Sequence, residues 1–209
     1  MNRHILWKCM VVGQSYIGPR YMIQKRKLYT ILNSILNSYD SGRVKEAGAE
    51  RACSEWLLRI GAKLRYVGHK EFLEEFNSLP PTNFEQFKIE EIDFTDTLAM
   101  GHGFSFLQKL KNVKKIKISN GQYMGDGCIS NLHYVKNTLE HLHLCNCPGI
   151  SPAGIQSIME LKNLRKLVLE NLPRIEELSP VDKETMLKYL QRDLPKCDID
   201  FFKEVKNTE

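Results

Sequence analysis

The feature that most restricts this chain is a spacing that recurs through its second half. An apolar residue, then two others, an apolar, one other and a third apolar appear as Ile89, Ile92, Phe94 and again as Val113, Ile116, Ile118. The pattern returns as Leu139, Leu142, Leu144 and as Leu164, Leu167, Leu169, with central members 24, 26 and 25 residues apart. The alternation predicts a short strand with two side chains turned inward. The apolar cluster after each strand predicts a helix or turn packed on the same core. A unit of this length cannot bury its apolar face alone, so successive units must stack.

The period lies in the range of leucine-rich repeats, so the predicted fold is α/β: a short solenoid of such repeats behind a helical N-terminal cap. Three residues beyond each strand's last apolar residue, Thr97, Gly121, Cys147 and Leu172 occupy the position where the chain turns inward. The third repeat continues through Ile150, Ser151, Gly154, Ile155 and Ile158, which resembles the cysteine-containing class of repeat. A closing triplet, Leu194, Cys197 and Ile199, follows a predicted helix over Lys183 to Leu194 and reads as the last strand or cap. These features set boundaries of 1–27 for a leader, 28–88 for a helical N-terminal domain, 89–200 for the repeats and 201–209 for a polar tail.

The non-repeating segment carries apolar residues at helical spacing in Leu28, Ile31, Leu32, Ile35 and Leu36. A second helix is predicted over Glu50 to Ile60, stopped by Gly61, and a third over Glu71 to Phe76, before Leu79-Pro80-Pro81 breaks the chain. Covering the exposed apolar end of the repeats is the expected role of this segment.

Charge is distributed unevenly. Residues 1–39 hold six basic residues and no acid, whereas the remainder holds 24 basic against 25 acidic residues. A nearly neutral body argues against nucleic acid as a partner, because phosphate contacts need basic residues gathered on the folded surface. The basic, acid-free start with interspersed apolar residues has the composition of a mitochondrial import signal. No apolar run approaches the roughly 20 residues of a membrane-spanning helix. The six cysteines lack the density and spacing of a disulfide scaffold, and the Cys145-x-Cys147 fragment is too short to specify a zinc site. No nucleotide-binding, phosphate-binding or hydrolase motif occurs, so neither an enzyme nor a small-molecule substrate is expected.

Binding is the expected activity instead. The strands would present Glu91, Asp93, Lys115, Lys117, His141, His143, Lys166 and Glu170 on the concave face, with Trp56, Arg65 and Tyr66 as further contact candidates. For Trp56 packing beneath the first repeat is the better reading. His141, His143 and Cys145 alternate along one strand at a spacing suited to zinc or copper, although Lys115, Lys117 and Lys166 beside them would repel a cation. Cys145 is expected to face outward from the strand and Cys147, at the inward-turning position, to face inward.

The stretch Glu50-Arg51-Ala52-Cys53-Ser54-Glu55-Trp56-Leu57-Leu58-Arg59-Ile60-Gly61-Ala62, with Arg65-Tyr66 and Gly68, resembles the mitochondrial ATP synthase subunit s family, also called coupling factor B. Asn77-Ser78-Leu79-Pro80, Ile92-Asp93-Phe94-Thr95-Asp96-Thr97 and Asn171-Leu172-Pro173 extend the likeness over about residues 28–200. The resemblance implies a peripheral, matrix-side protein of the inner membrane that supports proton-coupled ATP synthesis by binding the ATP synthase membrane sector or another inner-membrane complex. A sister branch implies assembly of the distal membrane arm of respiratory complex I. An F-box substrate adaptor is a third reading, disfavoured by the missing F-box helices. The family also implies a Mg2+ site formed by backbone carbonyls at the positions of Gly61 and Thr95. Gly61 reads equally as a helix stop and Thr95 as a strand edge. The family's dithiol falls on Ser119 and Gly121 here, so thiol sensitivity does not carry over through those positions.

Overall fold

The computed structural model describes residues 30–201, so the leader expected over 1–27 and most of the polar tail lie outside the described residues. The chain divides into two compact units, with the boundary between Ile35 and Leu36. Residues 30–36 are helical, as their spacing predicts. The second unit begins at Leu36 and holds the repeats.

Two helices open it. Asp40 caps α1 (Ser41–Ala47) by accepting a bond of 2.8 Å from the Arg43 N–H, one of the donors a helix start leaves without an internal partner. Gly48 joins it to α2 (Ala49–Arg59) at φ 86°. Ala52, Cys53, Trp56, Leu57 and Ile60 form the buried side of this second helix, and Gly61 at φ 91° ends it where a residue with a Cβ would be strained. Trp56 is enclosed by Phe94, Phe104 and Phe106, with ring centroids 5.4 to 6.0 Å away. Asn37 is fully buried, and its amide group bonds both the Leu98 carbonyl (2.8 Å) and the Met100 N–H (2.9 Å), fixing the loop after the second strand.

The rest is a six-stranded sheet whose strands lie side by side in chain order: β1 (Lys63–Tyr66), β2 (Ile89–Asp93), β3 (Lys115–Ser119), β4 (His141–Cys145), β5 (Lys166–Glu170) and β6 (Asp198–Phe201). β1 runs antiparallel to β2, and all later pairs are parallel. Ile92 pairs with Ile116, Ile116 with Leu142, Leu142 with Leu167 and Leu167 with Ile199, so the recurring apolar positions do stand abreast on adjacent strands. Between strands the chain crosses the inner face through a 3-10 segment (Gly101–Lys109), α3 (Asp126–Ser130) with its 3-10 continuation (Asn131–Val135), α4 (Pro152–Ile158), α5 (Pro173–Glu176) and α6 (Pro180–Asp193). Neighbouring connectors pack on one another, α3 on α4 and the first 3-10 segment on the second. The Asp126 carboxylate clips two of them by accepting from the Ser151 N–H (2.7 Å), and a Cβ at Gly154 would collide with it.

Two expectations need correction. The segment 28–88 is not wholly helical, because it supplies β1. Glu71 to Phe76 is not a helix either: Leu73 exchanges two backbone bonds with Leu64 (2.7 and 3.1 Å), and only Phe76–Ser78 turns, as 3-10. Thr97, Gly121, Cys147 and Leu172 are all buried, as the inward-turning position requires. The residue before each has a role that the apolar pattern does not reveal. Asp96, Asn120, Asn146 and Asn171 adopt left-handed backbone with φ of 48 to 56°. The first three form a ladder in which Asn120 Nδ2 donates to Asp96 Oδ1 (3.0 Å) and Asn146 Nδ2 to Asn120 Oδ1 (2.7 Å). Asp and Asn tolerate this conformation because their short polar side chains bond locally.

Candidate interaction face

Since strand residues alternate faces, the aliphatic residues of the sheet other than Val168 point into the core and every second residue faces outward. Parallel register aligns the outward residues in rows. One row runs Arg65, Glu91, Lys115, His141, Lys166, Asp198, and the next runs Lys63, Asp93, Lys117, His143, Val168, Asp200. A shorter third row holds Ser119, Cys145 and Glu170. Ion pairs join neighbours along and between these rows: Arg65 to Glu91 at 2.6 Å and to Glu90 at 3.0 Å, Lys117 to Asp93 at 3.7 Å, and Lys166 to both Asp198 and Asp200 at 2.5 Å. The two aspartates raise the Lys166 ammonium above its ordinary range. Burial pushes the Glu90 carboxyl up, but Lys114 and Arg65 together outweigh it and hold it below the usual range. Water screens the more exposed of these pairs, such as Lys166 with Asp198, so they add little to stability.

The expected site residues separate into groups. Lys115, Lys117, His141, His143 and Lys166 share the outward face. Arg65 joins it at the β1 edge, tied to Glu91 and Glu90. Trp56 and Tyr66 do not: they are 1% and 4% exposed, and the Tyr66 hydroxyl donates to Ser54 Oγ at 3.0 Å inside the core. Neither is available to a partner. Burial pushes the Tyr66 phenol up to about 12 despite the Ser54 bond. Gly61 lies between α2 and β1 and Thr95 just after β2, both beyond the last pair of the antiparallel ladder, Lys63 with Asp93. The bond from Leu98 N–H to Ile60 carbonyl (3.0 Å) holds the two segments together. Their N–H groups are used elsewhere, Gly61 on the Leu58 carbonyl and Thr95 on the Asp93 carboxylate.

Strand alternation alone would leave Cys145 and Cys147, two residues apart, on one face; the strand ends at Cys145, and the left-handed turn at Asn146 (φ 50°) sends Cys147 inward. Cys147 is fully buried with its Sγ 3.2 Å from the Cys145 carbonyl, whereas Cys145 is partly exposed. Burial raises Cys147, Cys53 and Cys128, the last to about 11. Outward on β4, Cys145 converges with His143 and with Glu170 of β5, and their donor atoms lie within 4.8 Å of one another. His141, expected in this group, is replaced by Glu170.

A second polar feature is not evident from the strand pattern. Lys111, Lys114, Lys162, Arg165 and Lys196 line a cleft of about 650 Å³ where the chain enters the parallel strands, with Glu140 the acid among its lining residues. Its signal in the sequence is the repeated Lys-Asn at 111–112, 136–137 and 162–163, which keeps the strand period. Among the described residues no helix is long and apolar enough to cross a membrane.

Comparison with known proteins finds relatives along almost the whole chain. The Rattus norvegicus protein named ATP synthase subunit s, mitochondrial, is 35% identical over 177 residues, covering 83% of this chain and 86% of the relative. The Homo sapiens protein of that name is 33% identical over 194 residues, covering 90% and 94%. The Bos taurus protein is 32% identical over 171 residues, covering 80% and 83%. No protein-family profile matches the sequence.

Proposed function

Because the chain belongs to the mitochondrial ATP synthase subunit s family, we propose that it is a non-catalytic mitochondrial accessory protein that docks on the membrane sector of the ATP synthase. The observation that carries this reading is the outward sheet face: five parallel strands present rows of mostly charged and imidazole side chains in register, while their aliphatic residues other than Val168 turn toward the core. Stacked units of this kind are read here as leucine-rich repeats, whose strand face is a docking surface. Lys115 and His141 at its centre form no ion pair within 4 Å among the described residues, which leaves them available to an acidic partner. The lysine cleft supports peripheral attachment to an anionic membrane surface, because ammonium groups near anionic headgroups each contribute about 1 kcal/mol.

Affinity purification of the full chain from mitochondria tests the reading. ATP synthase subunits are expected to co-purify with the wild type and to be lost with the double substitution Lys115→Glu, Lys117→Glu, at an unchanged melting temperature. Recovery of membrane-arm intermediates of complex I in their place would assign the chain to the sister role, and an undiminished yield with the double variant would remove this face as the docking surface.

A weak oxygen-ligand site at Gly61 and Thr95 is supported by the Leu98 to Ile60 bond that ties their segments together and by the Asp93 carboxylate beside Thr95. The two carbonyl oxygens would hold Mg2+, which accepts such ligands together with water. Its contribution would be to clamp the end of α2 to the loop after β2. Chelator-treated protein should then melt higher when millimolar Mg2+ is restored, and no shift would leave Gly61 as a helix stop alone.

A further inference from the structure

We propose that His143, Cys145 and Glu170 form a binding site for a zinc-class divalent cation on the outward face of the sheet. Strand alternation puts His143 and Cys145 on one side of β4, and parallel register sets Glu170 of β5 abreast of Cys145. Their donor atoms lie within 4.8 Å of one another, and His143 Nε2 is already 3.1 Å from Glu170 Oε2. Bonds of about 2.0 to 2.3 Å in a tetrahedral zinc site separate its ligands by roughly 3.3 to 3.8 Å. Closing the trio around an ion therefore takes about 1 Å of side-chain movement, within reach of partly exposed groups.

The donors also select the ion. One imidazole nitrogen, one thiolate and one carboxylate oxygen match the borderline-soft character of zinc, whereas Mg2+ and Ca2+ take oxygen ligands. The fourth position faces solvent and is left for water. On binding, the Cys145 thiol releases its proton to solvent, and the His143 to Glu170 contact is exchanged for two bonds to the ion.

Of the three neighbouring lysines that count against a cation when the sequence is read linearly, Lys115 stands opposite His141, in a different row from Cys145 and Glu170, and the other two are occupied. Lys166 is held between Asp198 and Asp200, and Lys117, opposite His143 on β3, leans toward Asp93. Val168 fills the place beside His143 on β5. The backbone under the trio is fixed on both sides: the Cys145 carbonyl accepts from Asn120 N–H (3.1 Å), and the Glu170 carbonyl accepts from Asn146 N–H (3.1 Å). Ligands on two locked strands are a better-ordered set than ligands on loops.

The test is a zinc titration of the full chain, stripped with chelator, in competition with a chromophoric chelator. One equivalent is expected to bind, and Cys145→Ser and Glu170→Gln should each weaken it at least tenfold while circular dichroism stays unchanged. Cys197→Ser, which removes another partly exposed thiol, should bind like the wild type. The cobalt-loaded protein should show a thiolate-to-metal absorption band that disappears in Cys145→Ser. Absence of stoichiometric zinc would overturn the proposal, as would a loss in His141→Gln equal to that in Glu170→Gln.

Discussion

Glu55 shows how one side chain links helix, loop and pH. It is 5% exposed and accepts from Arg43 at 2.6 and 2.9 Å and from Arg51 at 2.6 Å, while Arg51 also reaches the Pro80 carbonyl. The Arg43 bond pulls its carboxyl down further than burial pushes it up, and with Arg51 added it reaches about 2 from an ordinary value of 4.5. A carboxyl depressed in the folded chain contributes stability above its unfolded pKa, and that contribution is lost as pH falls from about 4.5 toward 2. Urea denaturation should therefore show a declining midpoint over that window. Glu55→Gln should flatten this part of the profile and cost about 2 kcal/mol at neutral pH, the scale of a hydrogen bond to a charged group. The triad was not legible in the sequence, since Arg43 and Glu55 sit on different helices and nothing local pairs them. The left-handed Asp96, Asn120, Asn146 and Asn171 were legible in principle. They recur at the strand period, but the apolar residues one step further along carry the louder signal.

At the level of elements, helices and strands with a clean period were predictable and the rest were decided by distant partners. α2 follows from its spaced apolar residues and Gly61, and β3, β4 and β5 follow from alternation. β1 was missed because its four residues are a strand only by virtue of β2, which pairs with it antiparallel. Glu71 to Phe76 failed as a helix because Leu73 finds extended partners in Leu64, and tertiary pairing overrides a short local pattern. Strand position should also govern energetics. Leu142 is 1% exposed with a strand on each side, so Leu142→Ala should cost about 2 to 5 kcal/mol in chemical denaturation. Ile199 on β6 is only partly buried, and Ile199→Ala should cost clearly less, about 1 to 2 kcal/mol. Equal costs would mean that the end strand is bound into the core as firmly as the central one.

For the whole molecule, the order of the parallel strands and their register were legible because a stacked array repeats one local problem, and a spacing of 24 to 26 residues states its solution several times over. The interaction face was half legible. Sequence identified which residues point outward, but the neutralisation of Lys166 by β6 and the arrival of Glu170 beside Cys145 depend on register between strands about 30 residues apart. A last consequence concerns β6, which among the described residues has a neighbour on one side only. An unflanked strand is a template on which a second chain can zip up, as in amyloid growth. Four residues is a poor template, and Asp198 and Asp200 give it the same-sign charge that discourages copies from adding to one another. Those two carboxylates thus hold the lysine beside them and also guard the assembly against running on into a fibre.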